Sequence, residues 1–124
     1  MQTGKTVFVV DDDPGTLKGV KRLLRQYGYD SLAFPSAEAF RNHDDFEKAL
    51  CFILDINLND ESGIDLRHRL KAAGISVPVI YITANDNPAV RIAAMESGCI
   101  AYLTKPFSGK SLIEPLEQAS ARLA

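Results

Sequence analysis

Thr6-Val7-Phe8-Val9-Val10-Asp11-Asp12-Asp13-Pro14 is the stretch on which the fold turns. Val7 to Val10 are continuously apolar rather than alternating, the pattern of a parallel strand covered on both faces. Three aspartates end the run. Asp13-Pro14 then reads as a helix cap followed by proline at the first helical position, where its missing N–H costs nothing. A strand that gives way to a helix within a few residues is the first half of a βα unit.

Outward from there the same unit repeats. Further apolar runs span 29–34, 50–54, 77–82 and 100–103, with Pro78 near the start of its run, where a strand tolerates proline best. Helix signals lie between them. Leu17, Val20, Leu24 and Tyr27 recur on one face of the first helix, which Gly28 stops. Ser36 caps a second helix, interrupted at Asn42-His43-Asp44-Asp45. Ser62 caps a third ending at Gly74, and Asn87-Pro88 opens a fourth closed by Gly98. Ser108 caps a fifth, with Leu112, Leu116, Ala119 and Leu123 on one face. Pro115 is expected to kink this helix or delay its start, since an interior proline costs about 3 kcal/mol.

Five strands alternating with five helices predict an α/β domain. It is a (βα)5 three-layer sandwich with right-handed crossovers and a parallel sheet in the flavodoxin-like order 2-1-3-4-5. The 124 residues make one domain, with its core at about 5–123 and no room for a second domain of ordinary size. At 46% hydrophobic and 24% charged the composition is that of a globular protein, which excludes disordered and fibrous classes. A net charge of −2 leaves no basic excess for direct nucleic-acid binding. No apolar run approaches the ~18–20 residues of a membrane span. The first residues lack a signal-peptide layout, so a cytoplasmic location is expected.

His43 and His68 read as solvated surface residues, at no ligand spacing from the cysteines. Cys51 and Cys99 begin strands 3 and 5, roughly 9–10 Å apart across two strand spacings. A disulfide reaches only about 7 Å between Cα atoms, so free thiols are expected.

In the predicted order, ligands sit beyond the carboxyl ends of the strands, near the switch point between strands 1 and 3. Those ends present Asp11-Asp12-Asp13, Asp55, Thr83-Ala84 and Thr104-Lys105-Pro106. Asp13 is accounted for as a helix N-terminal charge. The remaining carboxylates repel one another unless a cation lies among them, and oxygen donors alone suit Mg²⁺ or another hard ion. Such a cradle with one lysine and one hydroxyl matches the needs of a phosphoryl group.

With these residues in place, the chain resembles the receiver domain of bacterial two-component response regulators from about Lys5 to Leu123. Asp11 and Asp12 match the family's acidic pair, and Asp55 in Ile53-Leu54-Asp55-Ile56-Asn57-Leu58 matches its phosphoacceptor. Thr83 with Ala84, and Lys105-Pro106-Phe107, match its Thr/Ser and Lys-Pro signatures, and Tyr102 stands at the switch aromatic. The spacings are 28 residues from Asp55 to Thr83 and 22 from Thr83 to Lys105. The Asp-Asp-Asp start and Phe107-Ser108 look most like receivers joined to a helix-turn-helix output domain. One departure is Leu58-Asn59 in place of Leu/Met-Pro, which is expected to loosen the loop after Asp55.

The resemblance implies a switch rather than an enzyme, apart from its own phosphorylation and dephosphorylation. Asp55 takes a phosphoryl group from a sensor histidine kinase or a phosphotransfer protein. Mg²⁺ is held by Asp12, Asp55 and the Asn57 carbonyl, with Asp11 acting through water. Lys105, Thr83 and the Ala84 N–H bind the phosphoryl oxygens, and Thr83 and Tyr102 form the switch. Asn57 and Asn85 imply an intermediate phosphoryl lifetime. The helix 4–strand 5–helix 5 face, with Arg91, Glu96 and Lys110, is the surface for an output domain or a homodimer; Ile92 and Met95, i, i+3 apart, belong either to this face or to the core.

Three rivals share parts of this pattern. An aspartate-nucleophile phosphatase needs a carboxylate at position 57 as general acid, and Asn57 cannot donate the proton. A flavodoxin-like cofactor binder needs a Gly/Ser/Thr-rich phosphate loop where Asp11-Asp12-Asp13 stands. A phosphorylation-independent interaction module differs from the favoured reading only in a labelling experiment.

Overall fold

The structure, a computed structural model, describes residues 6–123, with side chains as far as Ala121. Lys5 and the side chain of Leu123 lie outside the described residues. The element order is β1 (Thr6–Val10), α1 (Pro14–Gln26), β2 (Asp30–Phe34), α2 (Ala37–Arg41), a 3-10 turn (Phe46–Lys48), β3 (Ala49–Asp55), α3 (Gly63–Ala72), β4 (Val79–Thr83), α4 (Pro88–Glu96), β5 (Ala101–Thr104) and α5 (Gly109–Leu123). All neighbouring strands pair in parallel, in the order β2-β1-β3-β4-β5. Among the described residues no helix is long and apolar enough to cross a membrane.

The predicted caps are in place. Asp13, Ser36, Ser62 and Asn87 accept from the N–H groups of Gly15, Ala39, Ile64 and Val90, satisfying donors that a helix start leaves unpaired. Gly28, Gly74 and Gly98 follow the ends of α1, α3 and α4 at positive φ, a conformation a Cβ disfavours.

The sheet divides the core in two because successive strand side chains point to opposite faces. Phe8, Phe52, Leu54 and Tyr81 pack with Phe40, Leu66 and Ala94 of α2, α3 and α4. Val7, Val9, Ile53 and Ile80 pack with Val20, Leu24, Leu112 and Leu116 of α1 and α5. All seven residues of β3 are buried, as expected of the central strand. Edge strand β2 buries only Phe34 fully.

Three expectations are corrected, and one of the two alternatives for α5 is ruled out. Tyr27 is 51% exposed: as the C-cap of α1 it has left the helical register of Val20 and Leu24. α5 starts at Gly109 in spite of Pro115, so its start is not delayed. Leu112, Ile113 and Leu116 are buried on either side of the proline, and their packing offsets the one missing N–H. His43 is half-buried rather than solvated, with its ring 5.4 Å from Phe8, 5.2 Å from Phe34 and 6.2 Å from Phe46. The break after α2 folds it onto the aromatic core; His68 is exposed as expected. Cys99 precedes β5 by two residues rather than beginning it. Both thiols are free, and they lie on opposite faces of the sheet.

Candidate phosphoacceptor site

The backbone pairing of the sheet carries the strand ends to one rim. Asp11 N–H donates to the Phe34 carbonyl (3.1 Å), Ile56 N–H to Ile82 (3.0 Å) and Lys105 N–H to Thr83 (2.8 Å). Each strand is therefore held to its neighbour one step beyond its last ladder residue, and the side chains at the tips are fixed.

Asp11 is 0% exposed and Asp55 3% exposed, yet neither carboxylate is orphaned. Lys105 Nζ donates to Asp11 Oδ2 at 2.8 Å and to Asp55 Oδ2 at 3.1 Å. The second oxygens accept from main-chain N–H groups, Asp13 to Asp11 and Asn57 to Asp55. Burial at the strand end lifts the Asp11 carboxyl above its usual range, and the bonds from Lys105 and Asp13 only partly offset this. Burial would lower the Lys105 ammonium, but its bonds to Asp11 and Asp55 outweigh that and hold it above its ordinary value.

Oxygens of Asp11, Asp12 and Asp55 lie within 4.8 Å of one another. A donor set of carboxylates alone, with one member fully buried, fits a hard divalent cation such as Mg²⁺. Asp13 stands apart: it bonds the Gly15 N–H and the Thr16 hydroxyl, the capping role expected of it.

Thr83 is 0% exposed. Its hydroxyl donates to Asn57 Oδ1 at 2.7 Å and accepts from the Asn85 N–H at 3.0 Å. Ala84, next to it, is exposed at the rim. Tyr102 lies on β5 opposite Tyr81 of β4, and its hydroxyl donates to Asp86 Oδ1 at 2.9 Å. Arg91 lies over the Tyr102 ring at 4.6 Å and bonds Asp86 Oδ2 at 2.9 Å. Sequence reasoning placed Arg91 on this face but missed Asp86, an exposed loop acid with no pattern to mark it. Beside Lys105 a cleft of about 550 Å³ opens between α1 (Thr16, Gly19, Leu23) and the loop of Pro106 and Phe107.

The family profile described as response regulator receiver domain matches residues 7–117. The chain belongs to this family. Receiver domains are signalling switches of two-component systems and bind Mg²⁺ at an acidic pocket.

Among relatives, the receiver is 29% identical to response regulator protein TodT of Pseudomonas putida over 91% of this chain and 50% of TodT. It is 31% identical to the transcriptional regulatory protein FixJ of Rhizobium meliloti over 98% of this chain and 59% of FixJ. The receiver thus spans about half the length of the curated relatives it matches. Among solved structures, response regulator StyR superposes with a TM-score of 0.84 at 36% identity, covering 92% of this chain and 58% of StyR. The crystal structure of FixJ-N gives a TM-score of 0.83 at 30% identity, covering 100% of this chain and 98% of its own.

The loop after Asp55, which carries Asn59 where the family pattern has proline, is bonded at both its base and its tip. Asn57 and Ser62 form an isolated antiparallel bridge, and Gly63 N–H donates to the Ile56 carbonyl at 3.0 Å. A Cβ at Gly63 would fall 2.3 Å from the Asp55 carbonyl oxygen, so only glycine permits this approach. Asp60 and Glu61 tie the loop tip to α2 and α3.

Proposed function

We propose that residues 1–124 form one receiver unit acting as the phosphoacceptor switch of a two-component regulator, with Asp55 as the nucleophile. A carboxylate oxygen of Asp55 attacks the phosphorus of a phosphohistidine on a sensor kinase or phosphotransfer protein. The P–N bond breaks and its electron pair returns to the imidazole. The observation that carries this reading is Lys105 Nζ shared between Asp11 and Asp55 at 2.8 and 3.1 Å. It places a cation on a long lysine stem against a buried carboxylate, able to follow the negative charge to a phosphoryl oxygen.

Positioning and charge stabilisation do most of the work in such a transfer. Asp12, Asp55 and the Asn57 carbonyl would hold Mg²⁺, with Asp11 reaching it through water. When bound, Mg²⁺ neutralises charge on the phosphoryl oxygens. Thr83 and the Ala84 N–H take the other oxygens. The Thr83 hydroxyl must first leave Asn57 Oδ1, so phosphorylation changes the bonding of the β4 tip. The space this movement opens receives Tyr102, which must leave Asp86 and Arg91. That coupling is a packing switch.

The surface remodelled is the α4–β5–α5 face, where Ile92 and Met95 are each 58% exposed. It passes the signal to an output domain, a downstream protein or a second copy of the receiver. Relatives named as transcriptional regulatory proteins, of which this chain spans about half, support a transcriptional output; a cytoplasmic location is part of the same proposal. The cleft beside Lys105 supports approach of the phosphodonor along α1.

The test is labelling by acetyl phosphate with Mg²⁺, read by intact and peptide mass spectrometry. Wild type is expected to gain one phosphoryl group on Asp55, and Asp55→Asn to gain none. Uptake by the variant at the wild-type rate and site would overturn the assignment.

A further inference from the structure

Asp60 and Glu61 take no part in the chemistry described so far, yet both are committed to contacts far along the chain. The Asp60 carboxylate accepts from the N–H groups of Ala37 (3.2 Å) and Glu38 (2.9 Å). With Ser36 capping Ala39, these bonds close the open first turn of α2. Burial would raise the Asp60 carboxyl, but these N–H bonds outweigh it and hold it below its usual range. Glu61 has only 9% of its side chain exposed and pairs with Arg41 at the end of α2 and with Arg69 of α3, the latter at 3.3 Å. The tip of the β3–α3 loop is thus bonded to two helices, and its base is closed by the Asn57–Ser62 bridge.

We propose that Asp60 and Glu61 are positioning residues that clamp this loop to α2 and α3, and so set the place of Asn57 beside Asp55. The inference rests on the phosphoacceptor reading, in which the Asn57 carbonyl is a Mg²⁺ ligand. Asn57 is exposed and bridged to Ser62. Its place is set by its bonds to Asp55 and Thr83 and by the course of the loop that carries it. Proline would stiffen such a loop by fixing one φ. Here two acids reach the same end through tertiary bonds, so the site depends on the seating of α2.

Outer partners that orient metal ligands typically change metal affinity by about 10–100-fold when removed. The experiment compares wild type, Asp60→Ala, Asp60→Asn and Glu61→Ala. Mg²⁺ binding is read by calorimetry, amide exchange at Asn57 and Gly63 by NMR, and acetyl phosphate uptake across Mg²⁺ concentrations. Both alanine variants are expected to bind Mg²⁺ roughly tenfold more weakly and to exchange the two amides faster. Their uptake at saturating Mg²⁺ stays within about twofold of wild type, because no group touching the phosphoryl is lost. Ala37 N–H bonds Oδ1 and Glu38 N–H bonds Oδ2, so Asp60→Asn keeps one acceptor and turns an NH2 donor toward the other N–H; it is expected to lose affinity and amide protection as well.

Asp60 is exposed, so its variants keep the core intact if Glu61→Ala fails to fold. Wild-type affinity in Asp60→Ala, or wild-type affinity with unchanged amide exchange in Asp60→Asn, would overturn the clamp. If wild type takes up no phosphoryl group at all, the functional reading falls, and the amide exchange alone decides the clamp: unchanged rates overturn it.

Discussion

On the β1–β3 side of the site, Asp11 and Asp55 are 0% and 3% exposed and share Lys105. On the β4–β5 side, Tyr102, Asp86 and Arg91 form a comparable three-membered cluster, but at the surface, with the Asp86 and Arg91 side chains 41% and 51% exposed. Both clusters join one cation to carboxylate oxygen within hydrogen-bond distance. What separates them is solvent. In the first, each charge has left most of its water and depends on its partners. In the second, water competes for every bond, and the cluster opens at small cost. In the proposed switch the first cluster anchors the chemistry, and Tyr102 in the second is the part that lets go.

The sharpest way to break this contrast is Lys105→Met. Removing the cation leaves two buried carboxylates facing each other with no ammonium to follow the transferred charge. Uptake from acetyl phosphate is expected to fall by about 10²–10³-fold, the usual cost of losing one charge-stabilising donor. Stability carries a pH signature. Asp11 already sits above its ordinary 3.8, and loss of Lys105 moves it further up. A carboxyl whose folded value is raised lends stability below its unfolded value and loses it as pH rises through the folded one. The thermal midpoint of the variant should therefore lie furthest below wild type at neutral pH without Mg²⁺, and the gap should narrow on acidification. A constant gap across that range would place Lys105 outside the electrostatics of the site.

Arg91→Ala probes the exposed cluster. It removes the guanidinium over Tyr102 and the ion pair with Asp86, together worth about 0.5–1 kcal/mol at an exposed position. If the cluster holds Tyr102 in its outer place, the variant populates the inner place more. Uptake from a small phosphodonor then rises by about two- to fivefold, the same free energy expressed as a ratio. An unchanged rate with an unchanged Tyr102 NMR environment would mean that the cluster holds nothing.

The contrast also explains what the sequence could and could not tell. Asp11, Asp55, Thr83 and Lys105 were legible because each sits at the tip of an apolar run, and the βα alternation sends all those tips to one rim. The strands, four helix caps and the sheet order follow from the same local signals. Asp60, Glu61 and Asp86 were not legible as functional parts. Asp60 bonds residues 22 and 23 positions away and Glu61 bonds Arg41 at 20, and no periodicity records such a pairing. His43 was misread for the same reason: a polar residue in a break looks solvated until tertiary packing lays it against Phe8 and Phe34.

The smallest expected effect separates the two sides by pH. The bonds from Arg91 and the Tyr102 hydroxyl hold the Asp86 carboxyl below its ordinary 3.8. A depressed folded value means the cluster's contribution is present above pH 3.8 and is lost as pH falls through the folded value. Acidification should therefore release Tyr102 from Asp86 only in that acid window. Asp11 moves the other way, because its carboxyl is raised and takes its proton first as pH falls. Carboxyl ¹³C titration should show Asp11 protonating before Asp86, with the Tyr102 ring signals following Asp86 and not Asp11. Tyr102 following Asp11 instead would mean the two clusters are already coupled without phosphate. The reporter would then be wired to the acid pair directly, and Thr83 would not be the joint between them.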